Sequence, residues 1–231
     1  FFALSTRVAA ETDMWWHLRI GQSFLETGQF SYTDIYSFTF AGEPRINYGV
    51  GAQIIMYAIW SVAGNFGMSL FTAILATWGM YLVYKAGQGN VYMQAFVLIF
   101  GAATAAVFWS PRPQMFTFFF STVFIYILFD YKRNGRDRLL WLIPVMWLWG
   151  NSHPGFAIGY IFLVAFIVGE FINNLVSTGD SRIPMQGVRK LWLVAIASTA
   201  TLLLNPNGLD LLKVPFTTLG MDVLRRYIQE W

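Results

Sequence analysis

Glu11, Asp13 and His17 stand within one short stretch of the chain. An Asp and a His four residues apart share a helix face, and Glu11 lies just before them. Two carboxylates and an imidazole are thereby brought within short reach. A carboxylate close to a hydroxyl serves as a general base, and carboxylates also ligate hard divalent cations. Spacing alone does not single out that chemistry, because Asp13 also reads as a helix cap and His17 as a polar residue at a membrane border. Further on, Arg112 and Gln114 flank Pro113, His153 lies in Asn151-Ser152-His153-Pro154-Gly155, and Asn205 and Asn207 bracket Pro206. Pro111, Pro113, Pro154, Pro206 and Gly208 read as turn chemistry. Arg112 and His153 read differently: ionisable groups at the margin of a bilayer core are costly, and functional when they face the bundle interior. Arg19 and Arg45 add cations suited to bidentate phosphate contacts.

The elements that must position these groups are apolar. The 231 residues are 56% hydrophobic, 19% aromatic and 12% charged, against about 25% charged in soluble domains. Five stretches read as membrane spans: Gly67–Tyr84, Val91–Phe108, Met115–Asp130, Gly155–Val176 and Leu191–Leu204. A sixth, Leu139–Gly150, is short for a bilayer core of about 30 Å and crosses only where neighbours thin the membrane. Turn residues close several spans, as at Gly87-Gln88-Gly89-Asn90 and Asn134-Gly135. The reading is an all-α, polytopic helical bundle in contact with a lipid bilayer. With a net charge of +3 and basic residues scattered at loop ends, nothing points to nucleic acid. The absence of cysteine excludes a disulfide framework and a thiolate metal site.

Alternation of the spans gathers Lys85, Lys132, Arg133, Arg136, Arg138, Arg182, Arg189 and Lys190 at one end, which the positive-inside rule makes cytoplasmic. Glu170, near that end, reads as a snorkelling or helix-pairing residue. Val50–Ala63 is apolar, but its 14 residues reach only about 21 Å as a helix, so it reads as interfacial. Residues 10–66 then form an outer loop, 67–204 the bundle, and 205–231 an outer C-terminal segment. Thr12 or Asp13 is expected to cap a surface helix running to about Thr27 and ended by Gly28. Met14, Leu18, Gly21 and Leu25 form its apolar stripe, with Trp15 and Trp16 at headgroup level. Phe1–Ala9 reads as the tail of a first span, and the chain as a fragment.

The ordered series Glu11-Thr12-Asp13-Met14-Trp15-Trp16-His17-Leu18-Arg19-Ile20-Gly21, Tyr32-Thr33-Asp34-Ile35-Tyr36-Ser37-Phe38-Thr39, Asn47-Tyr48-Gly49-Val50-Gly51-Ala52-Gln53, Arg112-Pro113-Gln114-Met115-Phe116, Asn151-Ser152-His153-Pro154-Gly155-Phe156, Asn205-Pro206-Asn207-Gly208 and Ile228-Gln229-Glu230-Trp231 carries a resemblance. It resembles a bacterial family of polytopic inner-membrane proteins related to the C-type glycosyltransferases, which use polyprenyl-phosphate sugars. The resemblance implies a first span, a large outer loop with two membrane-surface helices, and a common module of further spans. It implies a catalytic acid in that loop, which here is Asp13, with Glu11 second. The familiar Asp-Glu or Asp-Asp dyad is not present, since Thr12 separates the two carboxylates. The implied roles are Asp13 as base on an acceptor hydroxyl, with Arg112, His153, Arg45 and His17 at the donor phosphate. No cofactor is certain from the resemblance, and a divalent metal on Asp13 and a partner carboxylate fits the chemistry. The competing expectation is a non-catalytic structural or accessory subunit, whose outer polar residues meet membrane-protein partners.

Overall fold

The computed structural model describes residues 1–6, 11–176 and 182–221. Among these, the regular elements are helices, with one isolated bridge between Thr33 and Pro44. They are α1 (Phe2–Ser5), α2 (Thr12–Thr27), α3 (Val50–Ala86), α4 (Val91–Ala105), α5 (Gln114–Asn134), α6 (Leu142–Gly150), α7 (Phe156–Val176), α8 (Met185–Leu202) and α9 (Asp210–Leu219). The motif at Ile228–Trp231 and part of the expected first span fall outside the described residues.

Four helices are long and apolar enough to cross a membrane: Val50–Ala86, Val91–Phe108, Gln114–Asn134 and Phe156–Val176. The outer surfaces of these helices expose large apolar side chains, such as Phe96, Ile99 and Phe100 on α4. Such a surface is stable only against lipid, so this is an all-helical membrane protein. The stretch Leu191–Leu204, expected as a fifth span, overlaps the last part of α8 and runs two residues past its end. That helix starts earlier, carries Arg189 and Lys190 in its first turns, and is not among the four. The short Leu139–Gly150 runs antiparallel to α5. Arg138, before it, reaches Asp130 at 3.9 Å, and Trp149, near its end, reaches Thr117 at 2.9 Å.

One glycine redirects α3. Gly64 has φ 55° and ψ −145°, a conformation essentially confined to glycine. A Cβ placed on Gly67 would lie 3.1 Å from Ile59 Cγ2, whereas eight residues of straight helix span about 12 Å. Residues 50–63 therefore turn away from the span beyond them instead of continuing it. This arm is tied at its start by Gly51 N–H donating to Asn151 O at 2.9 Å. It packs along its length on α2, where Met14 and Leu18 are buried.

Helix α2 ends as its sequence predicts. Gly28 adopts φ 67° and its N–H donates to Phe24 O, closing the last turn in the left-handed form that glycine supplies. Two expectations need correction. The N-cap is Glu11, with no side-chain cap bond, because its carboxylate is drawn to Arg112. Leu25 is 52% exposed, so the buried stripe stops at Gly21.

The two ends of the bundle differ in chemistry. At the α5 C-terminus, Lys132 pairs with the buried Glu170, and Glu170 Oε2 accepts Ile183 N–H at 3.1 Å. Asp130 accepts from Asn134 at 2.7 Å and faces Arg136 and Arg138. Lys190 pairs with Asp137, and Arg133 donates to Ala86 O. Glu170 is thus a helix-pairing residue that fastens α5 and α7 to the start of α8. The opposite end, about 30 Å away along α5 by helical rise, carries the site.

Candidate functional site

The site begins with one arginine. Arg112 precedes α5, and its Nη2 lies 3.1 Å from Glu11 Oε1 and 2.8 Å from Asp13 Oδ2. Its side chain is 13% exposed, while that of Asp13 is 55% exposed. A guanidinium presents its donors in a rigid plane, so Arg112 fixes the first turn of α2 on the mouth of the bundle. One oxygen of Asp13 is oriented by charge, and the carboxylate remains open to solvent. Arg112, expected to face a phosphate, has its guanidinium on the two carboxylates.

Asp13 forms one wall of a cleft of about 500 Å³, lined also by Trp16, His17, Asp34, Ser37, Phe40, Glu43, Pro44 and Arg45. The far wall is a loop folded by its own hydrogen bonds. Asp34 N–H donates to Glu43 O at 2.8 Å, and Arg45 N–H to Tyr32 O at 2.8 Å. Asp34 Oδ1 accepts Tyr36 N–H at 2.9 Å and Ser37 N–H at 2.8 Å, an Asx turn. These backbone donors, Ser37 first, hold the Asp34 carboxyl below the usual range. Arg45 lies over the Trp16 ring at 5.8 Å, and Trp16 meets Tyr36 edge-on.

Both histidines of the chain belong to this end. Gln53 is 3% exposed. Its Nε2 lies 3.2 Å from His17 Nδ1, and its Oε1 accepts from Asn47 at 3.0 Å. Burial pushes His17 down to about 4, against the raising effect of Asp13, with Arg112 and Arg45 lowering it further. Burial, then the neighbouring His17, brings His153 to about 4 as well. His153 lies deeper than the cleft wall, bonded to Thr117 at 2.9 Å.

A chain of amides braces this end. Asn205 donates to Asn151 Oδ1 at 2.9 Å, and Asn207 donates to Asn47 O at 2.9 Å. Asn207 N–H is accepted by Asn205 Oδ1 at 2.9 Å. Asn47, Asn151, Asn205 and Asn207 therefore join separate segments of the chain and are more than turn residues.

Of the residues singled out by sequence, Asp13, His17 and Arg45 line the cleft, Glu11 and Arg112 stand behind Asp13, and His153 sits below. Arg19 is turned outward and donates to Gln22 at 3.0 Å. Trp16, Asp34, Glu43, Gln53 and Thr117 were not among the expected site residues. For Asp34 the local signal is an Asp three residues before a Ser; for Gln53 and Thr117, inside apolar helices, no local signal exists. Among the described residues, no three His, Asp or Glu side chains converge to hold a metal ion.

The two neutral histidines carry a consequence for stability. The unfolded chain takes up these protons near pH 6.5 and the folded protein only near 4. Stability contributed by them is complete above about pH 6.5 and is lost as pH falls towards 4, by up to about 1.4 kcal/mol per pH unit for each histidine. The thermal midpoint in nanodiscs should fall through this window, and His153→Gln should flatten the fall. A midpoint that rises as pH drops from 6.5 to 4 would contradict this assignment.

No protein-family model matches the chain, and neither a curated protein nor a solved structure does.

Proposed function

We propose that this chain is a glycosyltransferase of the C type, built on the common module of that group. It takes a sugar from a polyprenyl-phosphate donor on the non-cytoplasmic face of a bacterial inner membrane. The observation that carries the reading is an aspartate held by an arginine on the wall of a cleft of charged and aromatic side chains, at the mouth of an apolar helix bundle. A prenyl chain has lipid beside it there, while a sugar phosphate meets charged side chains and aromatic faces in the cleft. The basic opposite end supports the assignment of sides.

In this reading Asp13 accepts the proton of an acceptor hydroxyl as that oxygen attacks the anomeric carbon. The bond from that carbon to the phosphate oxygen breaks, and polyprenyl phosphate departs with the bonding electron pair. Arg45, His17 and His153 oppose the charge that develops on the phosphate. Arg112 orients Asp13 and stays on the carboxylate side of the site. Trp16 and Phe40 offer apolar faces to a sugar ring, and Asp34 and Glu43 offer acceptors to its hydroxyls.

The first test is binding. Undecaprenyl phosphate added to the protein in nanodiscs should raise its unfolding free energy, by about 2.7 kcal/mol at a hundredfold excess over Kd. Undecaprenol, lacking the phosphate, should not, and Arg45→Gln should lose most of the effect. Equal stabilisation by the alcohol, or none by either lipid, would defeat the reading.

One observation favours a second reading. The Arg112–Glu11–Asp13 pairing also clamps α2 to α5, as a non-catalytic subunit of a membrane complex would require. In that case Asp13→Asn lowers recovery of the assembled complex and turnover is not its measure.

A further inference from the structure

The hydrogen bonds of His153 converge on one nitrogen, and the donors are of kinds that leave no choice of direction. Gly155 N–H can only donate, and it reaches His153 Nδ1 at 3.0 Å. The indole N–H of Trp149 can only donate, and it reaches Thr117 Oγ1 at 2.9 Å. Because Gly155 N–H already donates to Nδ1, that nitrogen carries no hydrogen, so Thr117 Oγ1, which accepts from Trp149, donates its own hydrogen to His153 Nδ1, 2.9 Å away. With Nδ1 accepting twice, the proton of a neutral imidazole must reside on Nε2.

The surroundings are built tightly around this arrangement. Trp149 is fully buried and packs against Phe120 and Phe124. A Cβ on Gly155 would fall 2.3 Å from Thr117 Oγ1 and 2.9 Å from His153 Nδ1, so only glycine leaves room for the pair. Two segments thus meet on one ring nitrogen, α5 through Thr117 and the turn before α7 through Gly155, with α6 bracing Thr117 through Trp149. The group that reaches His153 electrostatically is His17 on α2, itself in contact with Gln53.

We propose that Thr117 is a positioning residue that locks His153, just below the cleft wall, in the Nε2–H tautomer, the neutral form that donates to an anionic phosphate oxygen of the lipid-linked ligand. The inference rests on the polyprenyl-phosphate reading for the identity of that ligand, but the lock itself does not. A neutral donor contacts phosphate without gaining a proton first, so the contact persists from pH 5 to 8 instead of fading near 6.5. Burial, which disfavours the imidazolium, acts in the same direction as the two donors to Nδ1.

The chain has only two histidines, so protein carrying ring-15N histidine gives two ring spin systems, assigned with His17→Gln. In nanodiscs, His153 should show Nδ1 bare and Nε2 protonated across pH 5–8, and undecaprenyl phosphate should move the Nε2 resonance. Thr117→Val should abolish that movement and weaken undecaprenyl phosphate binding about tenfold, the scale of one charge-assisted hydrogen bond; Thr117→Ser, which keeps the hydroxyl, should restore both. An Nδ1–H tautomer, or titration of His153 near pH 6.5, would overturn the lock. A locked His153 whose Nε2 ignores bound undecaprenyl phosphate would overturn the donor role while leaving the sugar-transfer reading intact. A locked His153 in a protein that does not bind the lipid would overturn that role and the sugar-transfer reading together.

Discussion

Replacing Asp13 with asparagine is expected to reduce release of polyprenyl phosphate from polyprenyl-phosphate hexoses by about 10²–10⁴-fold, the usual loss when a positioned general base is removed. The substitution keeps the shape of the side chain and removes only its capacity to take a proton. Arg112 keeps Glu11 at 3.1 Å, so the first turn of α2 stays fastened. The side chain of Asp13 is 55% exposed, and exposed pairs contribute only about 0–1 kcal/mol, so the thermal midpoint should barely move. Glu11→Gln should leave more activity, because Glu11 stands behind Asp13 and does not line the cleft. Wild-type turnover in Asp13→Asn, with lowered recovery of a larger complex, would transfer the protein to the subunit reading.

The second large effect concerns how α2 sits on the arm of α3. A Cβ on Gly21 would lie 2.2 Å from Gln53 O, 2.7 Å from Gln53 C and 3.0 Å from Tyr57 Cβ. Two of these atoms are helical backbone and cannot rotate aside. Alanine raises intrinsic helix propensity by up to about 1 kcal/mol, but the clash forces the helices apart, and overpacking of this kind costs about 1–3 kcal/mol. Gly21→Ala should therefore lower stability despite its better propensity. It should also break the Gln53–His17 contact, which lies at the same crossing, and undecaprenyl phosphate binding should fall with it. A Cβ added at Gly101 on α4 would meet nothing within 4 Å, so Gly101→Ala is the control that gains helix propensity without a clash. Equal stability of the two variants would show that the α2–α3 crossing yields more readily than its geometry implies.

Much of the fold is legible in local composition. Apolar runs locate the spans, because a helix in lipid must satisfy its backbone internally and cover itself with apolar side chains. The ends of α2 and α5 are marked by Gly28 and Gly135, both left-handed. Clustering of arginine and lysine at alternate turns foretells the end where Lys132, Arg136 and Arg138 pair with carboxylates. Local pattern misleads where two requirements compete for one residue. Helix α2 starts earlier than a Thr12 or Asp13 cap would have it, with Glu11 at the N-cap and both Glu11 and Asp13 drawn to Arg112, and Leu25 continues the stripe in periodicity but is 52% exposed.

By itself, then, the sequence determined the helical membrane architecture, the glycine-closed end of α2, the basic end and the residue types available for chemistry. These follow from hydropathy, turn conformations and charge, which act over a few residues. Only the tertiary structure decided that Arg112 meets Glu11 and Asp13, that Gln53 meets His17, and that Thr117 meets His153, each across a long stretch of chain. It also decided the bend at Gly64 and the folding of the loop that brings Asp34 and Arg45 opposite Asp13. The physical reason is that a polar group inside an apolar helix carries no periodicity of its own: its partner is set by how whole helices pack, and one glycine torsion redirects everything beyond it.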